Sequence, residues 1–153
     1  MCETARRAAG AAVAAALGRG RIAELTVVFD DDAAVRSLNA RWRGKDRPTN
    51  VLSFPAATPA ELAAPAAAMP LLLGDVVLAY ETCRAEAEAD GKRLADHVAH
   101  LVVHGVLHLL GHDHREEAEA ERMEALETAI LAGLGVADPY ADASTAQAAP
   151  IGA

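Results

Sequence analysis

An α+β fold is predicted: a small mixed β-sheet packed by several helices around one long central helix. Three observations predict it. The stretch from Leu94 to Leu110 is long and strongly apolar, as expected of a helix buried on most sides. Only three short runs carry strand composition. Strands and helices do not alternate regularly, so a doubly wound parallel sheet is not expected.

From Thr4 to Leu17 the alanine-rich chain reads as a helix, ended by Gly18 and Gly20. Glu24 to Phe29 reads as a strand, with Leu25, Val27, Val28 and Phe29 as its apolar content. Asp30-Asp31-Asp32 offers an N-cap to a short helix through Val35, Leu38 and Trp42. A triple aspartate can also suggest a metal site, but at a helix start it more often caps and complements the dipole. Thr49 to Phe54 is a second strand closed by Pro55, and the proline- and alanine-rich stretch from Ala56 to Pro70 reads as a long irregular loop. A third strand is expected around Asp75 to Leu78, then a helix to about Asp90 with Gly91 as its stop. The central helix follows. Arg115 to Leu134 is an amphipathic helix with an acidic first turn, and Gly133 and Gly135 end it. One domain over residues 1–140 is expected, and a small polar tail, 141–153, with no order of its own.

The chain has 153 residues, enough to bury a core, and its aromatic share of 3% means that Leu, Val, Ile and Ala must build that core. A formal net charge of −8 gives no global attraction to nucleic acid, so any such role must rest on a local patch. Cys2 and Cys83 form neither a CxxC pair nor a disulfide framework, and fit reduced thiols in a cytoplasmic protein. No stretch approaches transmembrane length. Arg6-Arg7 before the alanine run faintly resembles a signal peptide. Its weak hydrophobicity and the preceding Glu3 favour an ordinary first helix.

The most informative run is His104-Gly105-Val106-Leu107-His108-Leu109-Leu110-Gly111-His112-Asp113-His114. His104 and His108 lie one helical turn apart on one face. Gly111 can end the helix in a left-handed turn, returning His114 to the same ion. Three imidazoles with one open position are the ligand set of a catalytic zinc. The ordinary alternative, core histidines, does not explain the glycine between the second and third. Metzincin proteases share the histidine and glycine spacing, but their glutamate base falls here at Gly105, which argues for a metal hydrolase and against a protease. His97 and His100 extend the same face. His100 either competes as a ligand, supports the site or packs; Asp75 is either a partner to a ligand or an ordinary polar residue.

A second cluster is Arg36, Arg41, Arg43, Lys45 and Arg47, within twelve residues and against one acidic residue, Asp46. It is a positive patch in an acidic chain, with Trp42 inside it. Arginines there are suited to bidentate phosphate contact, although a charge run is more often a solvated face.

Arg43-Gly44-Lys45-Asp46, Pro48-Thr49-Asn50-Val51-Leu52-Ser53-Phe54-Pro55, Leu73-Gly74-Asp75, the histidine run and Asp138-Pro139-Tyr140 occur in one order over roughly residues 22 to 140. In this the chain resembles the YbeY family of single-strand-specific bacterial endoribonucleases, which act in ribosomal RNA maturation and ribosome quality control. The resemblance implies one zinc ion on His104, His108 and His114, and Arg43 as the key catalytic or RNA-contacting arginine. The partners it implies are single-stranded RNA, 16S ribosomal RNA and the small ribosomal subunit. Two departures stand out. The family usually has a strand before the first helix, which leaves either a sheet one strand short or a misassigned start. His112 stands where the family commonly has tyrosine, adding a fourth imidazole beside the site.

The implied chemistry is metal-assisted phosphodiester hydrolysis, with zinc activating water or polarising a phosphate oxygen and Arg43 stabilising transition-state charge. Lys45 and Arg47 are expected to hold RNA, in a positive groove leading to the zinc, with the acidic Arg115–Leu134 helix facing away. A monomer without membrane association is expected. The rival is a zinc-stabilised ribosome-assembly factor whose cleavage is weak or indirect.

Overall fold

The computed structural model describes residues 1–18, 20–65, 69–112 and 116–141. The order of elements is α1 (Cys2–Leu17), β1 (Ala23–Asp30), α2 (Asp32–Arg43), β2 (Val51–Pro55), α3 (Pro59–Ala63), β3 (Leu71–Ala79), α4 (Tyr80–Ala89), α5 (Leu94–Leu109) and α6 (Glu117–Gly133). This is the α+β arrangement expected, with the predicted elements in their predicted order. The expected tail, 141–153, lies outside the described residues from residue 142 onward.

One expectation needs correction. The stretch from Ala56 to Pro70 is not wholly irregular, because α3 lies within it. Thr58 caps the helix by accepting from the Glu61 N–H, and the Glu61 side chain accepts from the Thr58 N–H. Thr58-Pro59-Ala60-Glu61 is a capping box with proline in the first turn, a signal that the surrounding alanines and prolines obscured.

The sheet has three strands in the order β1-β3-β2. β1 runs parallel to β3 and β2 antiparallel to it, so the sheet is mixed. Gly74 controls its phase. The β1–β3 register shifts between Glu24 and Leu25, opposite Leu72 and Gly74. Before the slip Leu71 and Leu73 face the main core; after it Val76 and Leu78 do. One inserted residue swaps the faces of a strand. Gly74 has φ +125°, and a Cβ there would stand 2.1 Å from the Phe54 carbonyl oxygen, so only glycine fits.

The two sheet faces are covered differently. α2 lies on one, where Val35 meets Leu52, Val77 and Ala79. Asp31 caps α2 by accepting from the Ala34 N–H at 2.7 Å, as the aspartate run suggested. On the other face lies α5, buried from His97 through Leu107. α1 packs against α5 through Ala5, Ala8, Ala9 and Ala12, a stripe at helical spacing whose small side chains let the two backbones approach closely. α4 and α6 also pack on α5, so most of the helix is buried, and apart from its histidines and Asp96 its sequence is apolar. Among the described residues, no helix is long and apolar enough to cross a membrane.

Candidate metal and RNA site

His104 and His108 meet on α5 as their spacing requires. Their Nε2 atoms are 3.1 Å apart, and the rings are edge-on with centroids at 4.6 Å. A tetrahedral zinc with Zn–N bonds of about 2.0–2.1 Å spaces its nitrogens about 3.3–3.4 Å apart. The pair therefore fits two-nitrogen ligation to within a few tenths of an ångström. His114, the third residue read from the sequence, lies outside the described residues, and so does Asp113. Among the described residues no group of three or more histidine, cysteine or carboxylate side chains is spaced to hold a metal.

The left-handed stop expected at Gly111 is present. α5 ends at Leu109, and Gly111 takes φ +93°. The Gly111 N–H donates to the His108 carbonyl at 3.1 Å and the His112 N–H to the Leu107 carbonyl at 3.0 Å. These two bonds form a Schellman motif, the left-handed stop predicted from Gly111.

Position 105 has a steric reason for lacking a carboxylate. A Cβ on Gly105 would lie 2.7 Å from Val76 Cγ1 and 3.2 Å from Ser53 Oγ. The Ser53 hydroxyl also donates to the Gly105 carbonyl at 3.0 Å. α5 therefore rests on β2 and β3 at this residue, and any side chain there would be driven into the sheet, away from His104 and His108.

Glu127 is the residue that the sequence reading missed. It is fully buried on α6, yet its Oε1 is 2.5 Å from His104 Nδ1. The Tyr140 hydroxyl donates to Oε2, and His100 Nε2 lies 3.5 Å from the same oxygen. α6 was expected to face away. Instead its exposed side carries Glu117, Glu121 and Glu124, while Glu127 turns inward to His104. The signal was available: Met123, Glu127, Ile130 and Leu131 form the buried stripe of α6, and a carboxylate in such a stripe requires a partner. Burial alone would raise the Glu127 carboxyl, but hydrogen bonds from His100 and His104 outweigh it and hold the group at about 2. Burial, then the neighbouring Glu127 charge, pushes the Tyr140 hydroxyl well above its ordinary value.

His100 is buried on α5 beside Tyr140 and Glu127. Its Nε2 points to the Tyr140 hydroxyl at 3.2 Å, with the two rings edge-on. Burial lowers its pKa first, although Glu127 opposes that shift. His97 is separate: its Nε2 meets Glu86 Oε1 at 2.9 Å. Asp75 is exposed on β3, without a hydrogen bond to any described histidine. His112 is half-buried just past the turn.

The basic cluster is an exposed surface. Arg41, Arg43, Lys45 and Arg47 are all exposed, and Gly44, at φ +69°, ends α2 in a left-handed turn between Arg43 and Lys45. Arg36 is drawn into an ion pair with Asp46 at 3.0 Å, so the cluster partly neutralises itself at that end. Trp42 is 63% exposed, with the Arg41 guanidinium 5.6 Å from its ring centre. The Asn39 side chain donates to the Arg47 carbonyl at 2.9 Å, tying the loop to α2. From there the chain enters β2, where Ser53 touches α5 beside His104. The open groove of about 1110 Å³ lies elsewhere, between α1 and β1, and none of these basic or histidine residues lines it.

A family model described as endoribonuclease YbeY matches residues 3–135. A protein from Paramagnetospirillum magneticum named endoribonuclease YbeY is 61% identical over 121 residues, spanning 79% of this chain and 73% of that protein. One of the same name from Parvibaculum lavamentivorans is 58% identical over 142 residues, spanning 90% of this chain and 76% of its own length. A solution structure from Thermotoga maritima shares the fold, with a TM-score of 0.54 at 20% identity over 87% of this chain and 83% of that one. With most of its length matched at this identity, the chain belongs to the YbeY endoribonuclease family.

Proposed function

We propose that this chain is a zinc-dependent endoribonuclease that cuts single-stranded RNA in the maturation of 16S ribosomal RNA and in ribosome quality control, in the cytoplasm. Residues 1–140 act as one domain and as a monomer. The observation that carries the reading is the convergence of His104 and His108 at 3.1 Å with Glu127 behind His104. A buried carboxylate on the far nitrogen of a ligating histidine is the usual support of a zinc site.

His104, His108 and His114 hold one zinc, and Gly111 sets the return of the third. Zinc at such a site supplies electrophilic activation of water or of a phosphate oxygen. Arg43 contacts the scissile phosphate through its planar fork and stabilises the charge that builds there. Lys45 and Arg47 hold the backbone on either side of the cut. With a net charge of −8 the protein gathers RNA only through this local surface, so binding is weak and salt-sensitive. Trp42 provides a face for stacking an unpaired base, without reading base edges. Selection of one ribosomal RNA position then falls to contacts with the small subunit.

The test compares unstructured and fully duplexed RNA, each incubated with zinc-loaded and metal-stripped protein, with the product ends identified chemically. Cleavage of the unstructured RNA by the zinc-loaded protein alone is expected. Equal cutting of duplex removes the single-strand reading. No cutting by zinc-loaded protein that still binds the small subunit replaces the nuclease with an assembly factor.

A further inference from the structure

We infer that Glu127 is a positioning residue, which fixes the tautomer and orientation of His104 and couples them to the Asp138–Tyr140 turn. This rests on the zinc reading above for its consequence, but not for its geometry.

The geometry is that of a carboxylate with both oxygens engaged. Oε1 accepts from His104 Nδ1 at 2.5 Å, and Oε2 accepts from the Tyr140 hydroxyl. A carboxylate only accepts, so a neutral His104 keeps its proton on Nδ1 and leaves Nε2 as a lone pair. That lone pair is directed at His108 Nε2, 3.1 Å away. With the opposite tautomer, His104 would present N–H to the place where a cation must sit. The contact also explains why a fully buried carboxylate is held in a helix that otherwise turns apolar residues inward.

Tyr140 extends the coupling. Its N–H donates to Asp138 Oδ1 at 2.8 Å, and the Thr128 hydroxyl reaches the same oxygen at 3.2 Å. The turn after α6 is thereby folded back so that its phenol closes over Glu127 and His100. The Asp138-Pro139-Tyr140 run is thus tied to the histidine pair through one carboxylate.

The experiment uses Glu127→Ala and Glu127→Gln in the full chain. The first readout is the ¹⁵N signature of His104 in metal-free protein. The second is zinc affinity by competition with a chromophoric chelator, on protein shown to be folded by its thermal transition. Wild type is expected to show protonated Nδ1 and bare Nε2. Glu127→Ala is expected to show a tautomer mixture and roughly 10–100-fold weaker zinc binding. Glu127→Gln retains an acceptor oxygen, so it keeps the tautomer and loses less affinity. If Glu127→Ala does not fold, Glu127→Gln together with Tyr140→Phe carries the test: both must keep the Nδ1–H form, and a mixture in wild type overturns the inference. A folded Glu127→Ala with the wild-type signature and affinity also overturns it. Failure of wild type to bind zinc would sink the proposed function, while the metal-free signature still decides the role of Glu127.

Discussion

Glu127 Oε1 lies 2.5 Å from His104 Nδ1, across 23 residues of sequence and between two helices. Neither residue has a reason to be buried alone. A buried carboxylate without a partner is costly, and an imidazole with an undefined tautomer is a poor ligand. Together they join α5 to α6 through one buried hydrogen bond.

Gly105 sets how closely α5 lies on the sheet. Gly105→Ala places a methyl 2.7 Å from Val76 Cγ1, on a buried β-branched side chain that has no room to turn. A loss of about 1–3 kcal/mol in stability is expected. Urea denaturation measures it, and an unchanged midpoint would mean that the helix can lift without cost.

Glu86 supplies a pH-dependent contribution to stability. Burial acts to raise its carboxyl, but hydrogen bonds from His97 and Asn50, then the charges of His97 and Lys92, hold it below the ordinary value. A depressed carboxyl stabilises the fold above its unfolded pKa of about 4.3, and that contribution is lost as pH falls through that value toward the folded one. The stability gap between wild type and Glu86→Gln should therefore be full at neutral pH and shrink below about pH 5. Denaturation curves across that range check it; a constant gap would refute the assignment.

Arg43→Ala is expected to lose most RNA cleavage while keeping fold and zinc content. Arg43→Lys should recover only part, because an ammonium cannot make the bidentate contact. Single-turnover cleavage with elemental analysis of each variant decides it. Wild-type rates in Arg43→Ala would move the role to another member of the exposed cluster.

Lys45→Ala combined with Arg47→Ala should weaken RNA binding and flatten its salt dependence. Each phosphate contact on a single strand adds about 0.7 to the slope of log affinity against log salt, so the pair should remove about 1.4. An unchanged slope would show that these two side chains do not hold the backbone.

Much of this was legible in the sequence because it rested on local rules. The His104–His108 pair follows from helical spacing, the Gly111 stop from the conformational freedom of glycine, and the Asp31 cap from a short side chain before an apolar run. The partner of Glu127 was not, because His104 lies on another helix and only packing brings the two together. The phase slip at Gly74 was hidden for the same reason: it is set by the approach of Phe54 from the neighbouring strand. α3 was missed for a different reason, since its capping box lay in a stretch whose composition suggested only loop.

Titration of metal-stripped protein with zinc, reading cleavage of an unstructured RNA at each addition, tests the central claim most directly. Activity should rise linearly and saturate at about one zinc per chain, as three imidazole ligands at a single catalytic site require. The variant with His104, His108 and His114 all replaced by alanine should stay inactive at every addition. Full activity in the stripped protein, or the same titration curve in the triple variant, would contradict the account.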